Sequence, residues 1–199
     1  MSPGQNRHLV IMAKAPLMGQ VKTRLAKGIG EVAALAFYRN ALATVLRQMS
    51  GDPRWRLWVA VAPDTAVAAP VWPSGVEKFA QGSGDLGQRM GRVMKCLPPG
   101  PAIIVGSDIP GLLPAHIAHA FQLLGSHDAV FGPANDGGYY LVGLKRVPKM
   151  PDPFTNVRWS GPEALADTVA NLAGQPVAFI EGLADIDTVE DLKAWKSPS

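Results

Sequence analysis

Residues 102–111 read Ala102-Ile103-Ile104-Val105-Gly106-Ser107-Asp108-Ile109-Pro110-Gly111, and the way this run starts and stops decides the fold. A short β-branched stretch bounded by Pro101 and Gly106 predicts a strand buried on both faces. Pro110 and Gly111 stop the extended chain, so Asp108 falls just past the carboxyl end of that strand. In an open α/β sheet, ligands bind along that edge. A carboxylate there adds little to a core, but it is well placed to hold a divalent cation against phosphates.

Outward from this strand, apolar runs alternate with helical patterns. Upstream, strands are expected at 8–12, 56–62 and 76–80, and helices at 31–49 and 86–97. The helix at 31–49 carries Leu35, Leu42, Val45, Leu46 and Met49 on one face; that at 86–97 carries Leu86, Met90, Val93, Met94 and Leu97. Residues 13–30 read as a loop rich in Lys, Gly and Pro, with room for a helical turn near Thr23. Downstream come a helix at 114–124, strands at 129–132 and 139–144, a helix at 162–172, a strand at 177–180 and a last helix at 188–195. Thr188 is its expected N-cap, with Asp191 in the capping-box position. This alternation predicts an α/β fold, a mostly parallel sheet covered on both faces. The strands at 129–132 and 139–144 lie too close for a helical crossover, so the sheet should be mixed. No repeat or linker divides the chain, and one domain spanning 1–199 is the expectation.

Composition narrows the class of function. A hydrophobic fraction of 47% with 18% charged residues is that of an ordinary globular protein. The formal charge of +3 is spread along the chain, with its tightest cluster at Lys14, Lys22, Arg24 and Lys27; a small anionic substrate fits this better than nucleic acid. A single cysteine, Cys96, cannot close an internal disulfide, which points to a reducing compartment. The apolar run 9–13 is too short for a signal peptide or a membrane span, so a soluble, cytoplasmic protein is expected.

Four segments carry candidate chemistry. Lys14, Lys22, Thr23 and Arg24 follow the first strand, where Gly19, Gly28 and Gly30 would let backbone amides approach a ligand. Val21 excludes a Walker A loop. Gly82-Ser83-Gly84-Asp85-Leu86-Gly87 matches the dinucleotide fingerprint, but it lies mid-chain and Asp85 would oppose a pyrophosphate; another nucleotide or substrate role fits better. Asn135-Asp136-Gly137-Gly138-Tyr139-Tyr140 reads either as a plain hairpin turn or as a turn that aims Asp136 into the cleft of Asp108, as a general base. Asp185-Ile186-Asp187-Thr188 reads as a capping run or as the source of a second metal ligand. Trp159 either walls an acceptor pocket or anchors its loop. His116 and His119 read as surface residues, and Cys96 as inert packing. No G-x-S-x-G elbow is present.

Lys14-Ala15-Pro16, Gly19 to Leu25, Gly84 to Met90, Gly106 to Gly111, Asp136 to Tyr140 and Asp185 to Thr188 occur in this order over nearly the whole chain. In these motifs the chain resembles the GT-A-like nucleotide-diphospho-sugar transferases and glycosyltransferases. It is more distantly similar to phospholactate guanylyltransferase and the molybdenum-cofactor nucleotidyltransferases. The resemblance implies a Rossmann-like three-layer sandwich that binds a nucleotide in its N-terminal half and an acceptor, a small molecule or a peptide, in its C-terminal half. It implies Mg²⁺ or Mn²⁺ on Asp108 with Asp185 or Asp187. Phosphate-facing cations would be Lys14, Lys22 and Arg24, with Ala15, Pro16, Gly84, Asp85 and Arg89 beside the nucleotide. Gly137, Gly138, Tyr139 and Trp159 would face the acceptor. Two departures stand out: the nucleotidyltransferase loop is replaced by Lys14 to Gly19, and Pro110 stands where the second acid of a D-x-D would be. The expectation is therefore a metal-dependent transferase of glycosyl or nucleotidyl groups. The rival readings are a non-catalytic nucleotide-binding protein and an NAD-dependent oxidoreductase.

Overall fold

The computed structural model describes residues 6–196. Its elements run β1 (His8–Lys14), α1 (Thr23–Ile29), α2 (Glu31–Met49), β2 (Arg56–Ala62), β3 (Glu77–Ala80), α3 (Leu86–Cys96), β4 (Ala102–Gly106), α4 (Pro114–Leu123), β5 (Ala129–Pro133), β6 (Tyr139–Leu144), α5 (Ala164–Ala170), β7 (Val177–Phe179) and α6 (Val189–Lys196). Seven strands form one sheet in the order β3-β2-β1-β4-β6-β5-β7. Only β6 runs against the rest, pairing antiparallel with both β4 and β5. A mostly parallel, mixed sheet is thus present, as the spacing predicts.

Side-chain alternation in the strands divides the core into two layers. Leu9, Ile11, Val59, Val61, Ile103 and Val105 pack against α2 and α4. Val10, Ala60, Ile104, Phe131 and Val142 face α3, α5 and the loop that holds Phe154. Each fully buried aliphatic side chain contributes about 2 kcal/mol, so β4, buried on both faces, anchors the sheet. Among the described residues no helix is long and apolar enough to cross a membrane.

The topology fixes where a ligand can bind. The chain steps outward from β1 to β2 to β3, then returns to place β4 on the other side of β1. Strand order reverses between β1 and β4, and a crevice opens at their carboxyl ends. Lys14 ends β1 and Asp108 follows β4, so both stand at that crevice. The tight β5–β6 turn brings Asp136 to the same edge.

Four local expectations are corrected. The expected loop is confined to residues 15–22: residues 13 and 14 end β1, and the helical turn near Thr23 extends to a seven-residue helix. Leu25 explains the helix: it is fully buried in a small core with Ala34, Ile186 and Leu192. Gly28 serves this packing rather than a ligand, because a methyl group there would overlap the Val189 side chain. His116 is not a surface residue; its Nδ1 accepts from the Leu113 amide at 3.0 Å at the start of α4, and its Nε2 contacts Glu181. Cys96 is exposed rather than packed. The α6 capping box is present: Asp191 accepts from the Thr188 amide at 2.8 Å, and the Thr188 hydroxyl accepts from the Asp191 amide at 3.2 Å.

Candidate active site

Lys22 organises the crevice. It precedes α1 in a left-handed conformation, φ 48°, which turns its side chain inward. The side chain is only 3% exposed, and its Nζ lies 2.5 Å from Asp108 Oδ2 and 2.8 Å from Asp187 Oδ1. Arg24 reaches the other Asp187 oxygen at 3.3 Å. Burial opposes the charge on Lys22, but Asp108 and the hydrogen bonds to both carboxylates outweigh it and hold the ammonium above its ordinary range.

A buried phenol fixes the flanking backbone. Tyr38, on α2, donates to the Lys14 carbonyl at 2.9 Å and accepts from the Lys14 amide at 3.0 Å. Its hydroxyl also lies 3.1 Å from Ser107 Oγ, so one side chain ties the end of β1 to the turn after β4. Burial, with the nearby Asp108 charge, raises the phenol's pKa and keeps it a neutral donor. Gln81 completes the support by donating to the carbonyls of Ala13 and Ala60. Neither residue stood out in the sequence, although Tyr38 is the one hydroxyl on an otherwise apolar helix face.

Two clefts meet at Asp108. The first, roughly 350 Å³, is lined by Lys14, Lys22, Arg24, Arg89, Ser107 and Asp108 among others, and its charge is largely cationic. The second, roughly 430 Å³, runs towards β5 and β6. It has an apolar floor that includes Met90, Ile104 and Val142, aromatic walls from Tyr139 and Trp159, and Asp136 and Asp185 facing in. Met12, Arg24, Leu86, Gly106 and Asp108 line both. Leu86, read from sequence as part of the packed face of α3, is instead half exposed at this mouth.

Asp136 closes an Asx turn, its Oδ1 accepting from the Gly138 amide at 2.9 Å. The hairpin turn is present, and the same turn places Asp136 in the lining of the cleft. Trp159 likewise does both jobs: it walls the cleft and packs on Gly87, where a methyl group would sit 2.6 Å from its ring. Gly137 packs against Pro162 rather than facing the cleft.

The remaining sequence candidates fall elsewhere. Asp85 caps α3 in a reciprocal box with Gln88, which accounts for the fingerprint-like glycine run. Together with Gly84 it lines a separate groove beside Phe154. Ala15 is buried, and Pro16 borders an apolar hollow over α2.

Asp185 has no direct cation partner in the crevice. Among the described residues no cation lies within salt-bridge distance of it. Burial first, then the charges of Asp187 and Asp136, push its carboxyl above the ordinary range. No group of three or more metal-ligating side chains is gathered among the described residues. Mg²⁺ is usually held by one or two carboxylates together with substrate phosphates and water. The hard oxygen donors of Asp108, Asp185 and Asp187 are of the kind that Mg²⁺ or Mn²⁺ takes; Asp108 and Asp187 both contact Lys22, and Asp187 also contacts Arg24.

Residues 45–161 match the model of a family described as an uncharacterized protein conserved in bacteria (DUF2064). A solved structure from Desulfovibrio desulfuricans G20, assigned by inference as a nucleotide-diphospho-sugar transferase, is 30% identical. That alignment covers 96% of this chain and 86% of the other, with a TM-score of 0.89. The fold is shared with 4-diphosphocytidyl-2C-methyl-D-erythritol synthase of Anaerococcus prevotii, at 12% identity, TM-score 0.59 and 96% coverage of each chain. It is shared too with a manganese complex of Rv0371c from Mycobacterium tuberculosis, at 18% identity, TM-score 0.56 and coverage of 96% and 97%. No curated protein matches the chain.

Proposed function

The chain belongs to this bacterial family, DUF2064, and from that premise we propose that it is a metal-dependent transferase with a nucleotide donor, a nucleotide sugar being the donor we favour. One observation carries the reading: Asp108 forms the wall common to a cationic cleft and an apolar, acid-rimmed one. A two-substrate reaction needs such a junction, where a donor phosphate and an acceptor atom can be held against each other. The name of the Desulfovibrio relative supports the sugar nucleotide as donor.

Lys14 and Arg89 bind the donor's phosphates in the first cleft. Asp108 and Asp185 would hold the Mg²⁺ or Mn²⁺. When bound, the ion supplies charge neutralisation on the donor's diphosphate. Lys22 and Arg24 stabilise the negative charge that accumulates on the departing nucleoside diphosphate. Tyr38 positions Lys14 and the Ser107-Asp108 turn. In the second cleft Tyr139 and Trp159 orient the acceptor, and the Asp136 oxygen not used in its turn takes the acceptor's proton. No covalent nucleophile is required.

Incubation with Mg²⁺, a panel of nucleotide sugars and nucleoside triphosphates, and mixed acceptors, read by mass spectrometry, tests the proposal. Release of a nucleoside diphosphate supports it, and release of pyrophosphate reassigns the chemistry to nucleotidyl transfer. Asp108→Ala should lower turnover by about a thousandfold with circular dichroism unchanged. Undiminished turnover in that variant contradicts the proposal.

A further inference from the structure

The second cleft has a chemistry of its own, and it constrains the acceptor. Its floor and walls are apolar and aromatic, including Met90, Ile104, Val142, Tyr139 and Trp159. Its charged lining consists of Asp108, Asp136 and Asp185 against a single cation, Arg24, which already contacts Asp187. Neither glycine amide of the hairpin is free for an anion: the Gly137 amide donates to the Ala134 carbonyl and the Gly138 amide to Asp136 Oδ1. A phosphate or carboxylate on the acceptor would therefore meet carboxylates and find both glycine amides already engaged.

The aromatic walls add a positive preference. Tyr139 stands edge-on to Trp159 with ring centroids 6.5 Å apart, and Phe131 braces it from behind at 5.3 Å. Burial raises the Tyr139 phenol well above its ordinary range, so it remains neutral. Neutral aromatic faces beside carboxylates attract a cation through both the ring quadrupole and the charge. A divalent ion on Asp108 and Asp185 would bring the lining close to neutral overall, so the preference then rests on Asp136 beside the aromatic walls.

Resting on the two-cleft reading above, we infer that the acceptor is a small molecule with an apolar body and no anionic group, and that an ammonium is the headgroup the cleft favours. Size agrees, since roughly 430 Å³ accommodates a single substituted ring or a short aliphatic chain.

Three probes of one shape isolate charge: tyramine, tyrosol and 4-hydroxyphenylacetate share the 4-hydroxyphenyl body and differ in amine, alcohol and acid. Isothermal titration of the intact protein with each, in Mg²⁺ buffer, should rank them amine, alcohol, acid, with about a tenfold gap between the first and last. Asp136→Asn, which keeps the acceptor needed by the Gly138 amide, should narrow that gap to about twofold. Binding of the acid as tight as that of the amine, no binding of the amine, or a gap unchanged in Asp136→Asn would each overturn the inference. A parallel titration with Mg²⁺ and the nucleoside di- and triphosphates separates the two readings. Nucleotide binding with an acid preference sinks only the acceptor assignment, whereas an amine preference without nucleotide binding sinks only the nucleotide reading.

Discussion

The two clefts that share Asp108 are built by different forces. The cationic cleft is held by hydrogen bonds and charge: Tyr38 clamps Lys14 to Ser107, and Lys22 bridges Asp108 and Asp187. The apolar cleft is held by packing, with Trp159 seated on Gly87 and beside Phe154. Directional bonds preorganise a site for one charge pattern, while packing sets a volume that tolerates varied occupants. The donor side is thus specified by electrostatics, whereas on the acceptor side packing sets the volume and the carboxylates at its rim set the preferred charge.

The sharpest way to break this contrast is Lys22→Met. The substitution removes the leaving-group cation and frees two carboxylates, so turnover should fall by about a hundredfold or more. Affinity of the free protein for Mn²⁺ alone should rise by about tenfold, because the ammonium no longer competes for Asp108. Electron paramagnetic resonance titration of free Mn²⁺ reads this directly. Weaker Mn²⁺ binding in the variant would mean that Lys22 organises the site without competing at it.

Gly87→Ala acts on the other side. A methyl group there would come within 2.6 Å of the Trp159 ring and 2.7 Å of the Phe154 carbonyl oxygen, so the loop must move. Overpacking of this kind costs about 1–3 kcal/mol. Acceptor KM should rise several-fold while nucleotide binding, measured by titration, stays unchanged. Equal damage to both would show that the clefts are not separable.

The contrast also explains what could be read in the sequence. Asp108, Asp136, Tyr139 and Trp159 were legible because a strand end or a tight turn fixes their place along the chain. Tyr38 and Gln81 were not, since their partners lie 21 to 69 residues away and only tertiary packing brings them together. The full length of helix α1 was hidden for the same reason: burial of Leu25 against Ile186 and Leu192 extends the helical turn near Thr23 despite a glycine- and proline-rich local signal. The run at Gly82–Gly87 imitated a dinucleotide loop because a capping box and a tight helix–loop contact also call for small residues.

The smallest effect lies at the opposite edge of the sheet and serves as a control for pH work on the site. His8 is 1% exposed, and burial, with Arg146 and Arg56 nearby, lowers its pKa from the usual 6.5 despite the Pro99 carbonyl. The unfolded chain then takes up a proton below 6.5 that the folded chain refuses. Stability from this residue is complete above that pH and is lost as pH falls below it. Urea unfolding should show this slope in the wild type and a flatter one in His8→Asn, which keeps an acceptor for the Trp58 indole. A slope that persists in the variant would assign it to another group.

The central claim is that Asp108 joins a nucleotide cleft to an acceptor cleft through a divalent ion. Anomalous scattering from crystals soaked with Mn²⁺ and a nucleotide sugar tests it most directly. The account predicts a manganese peak between Asp108 and Asp185, with the diphosphate extending towards Lys14 and Arg89. Manganese bound elsewhere, or a diphosphate seated against Tyr139 and Trp159, would contradict it.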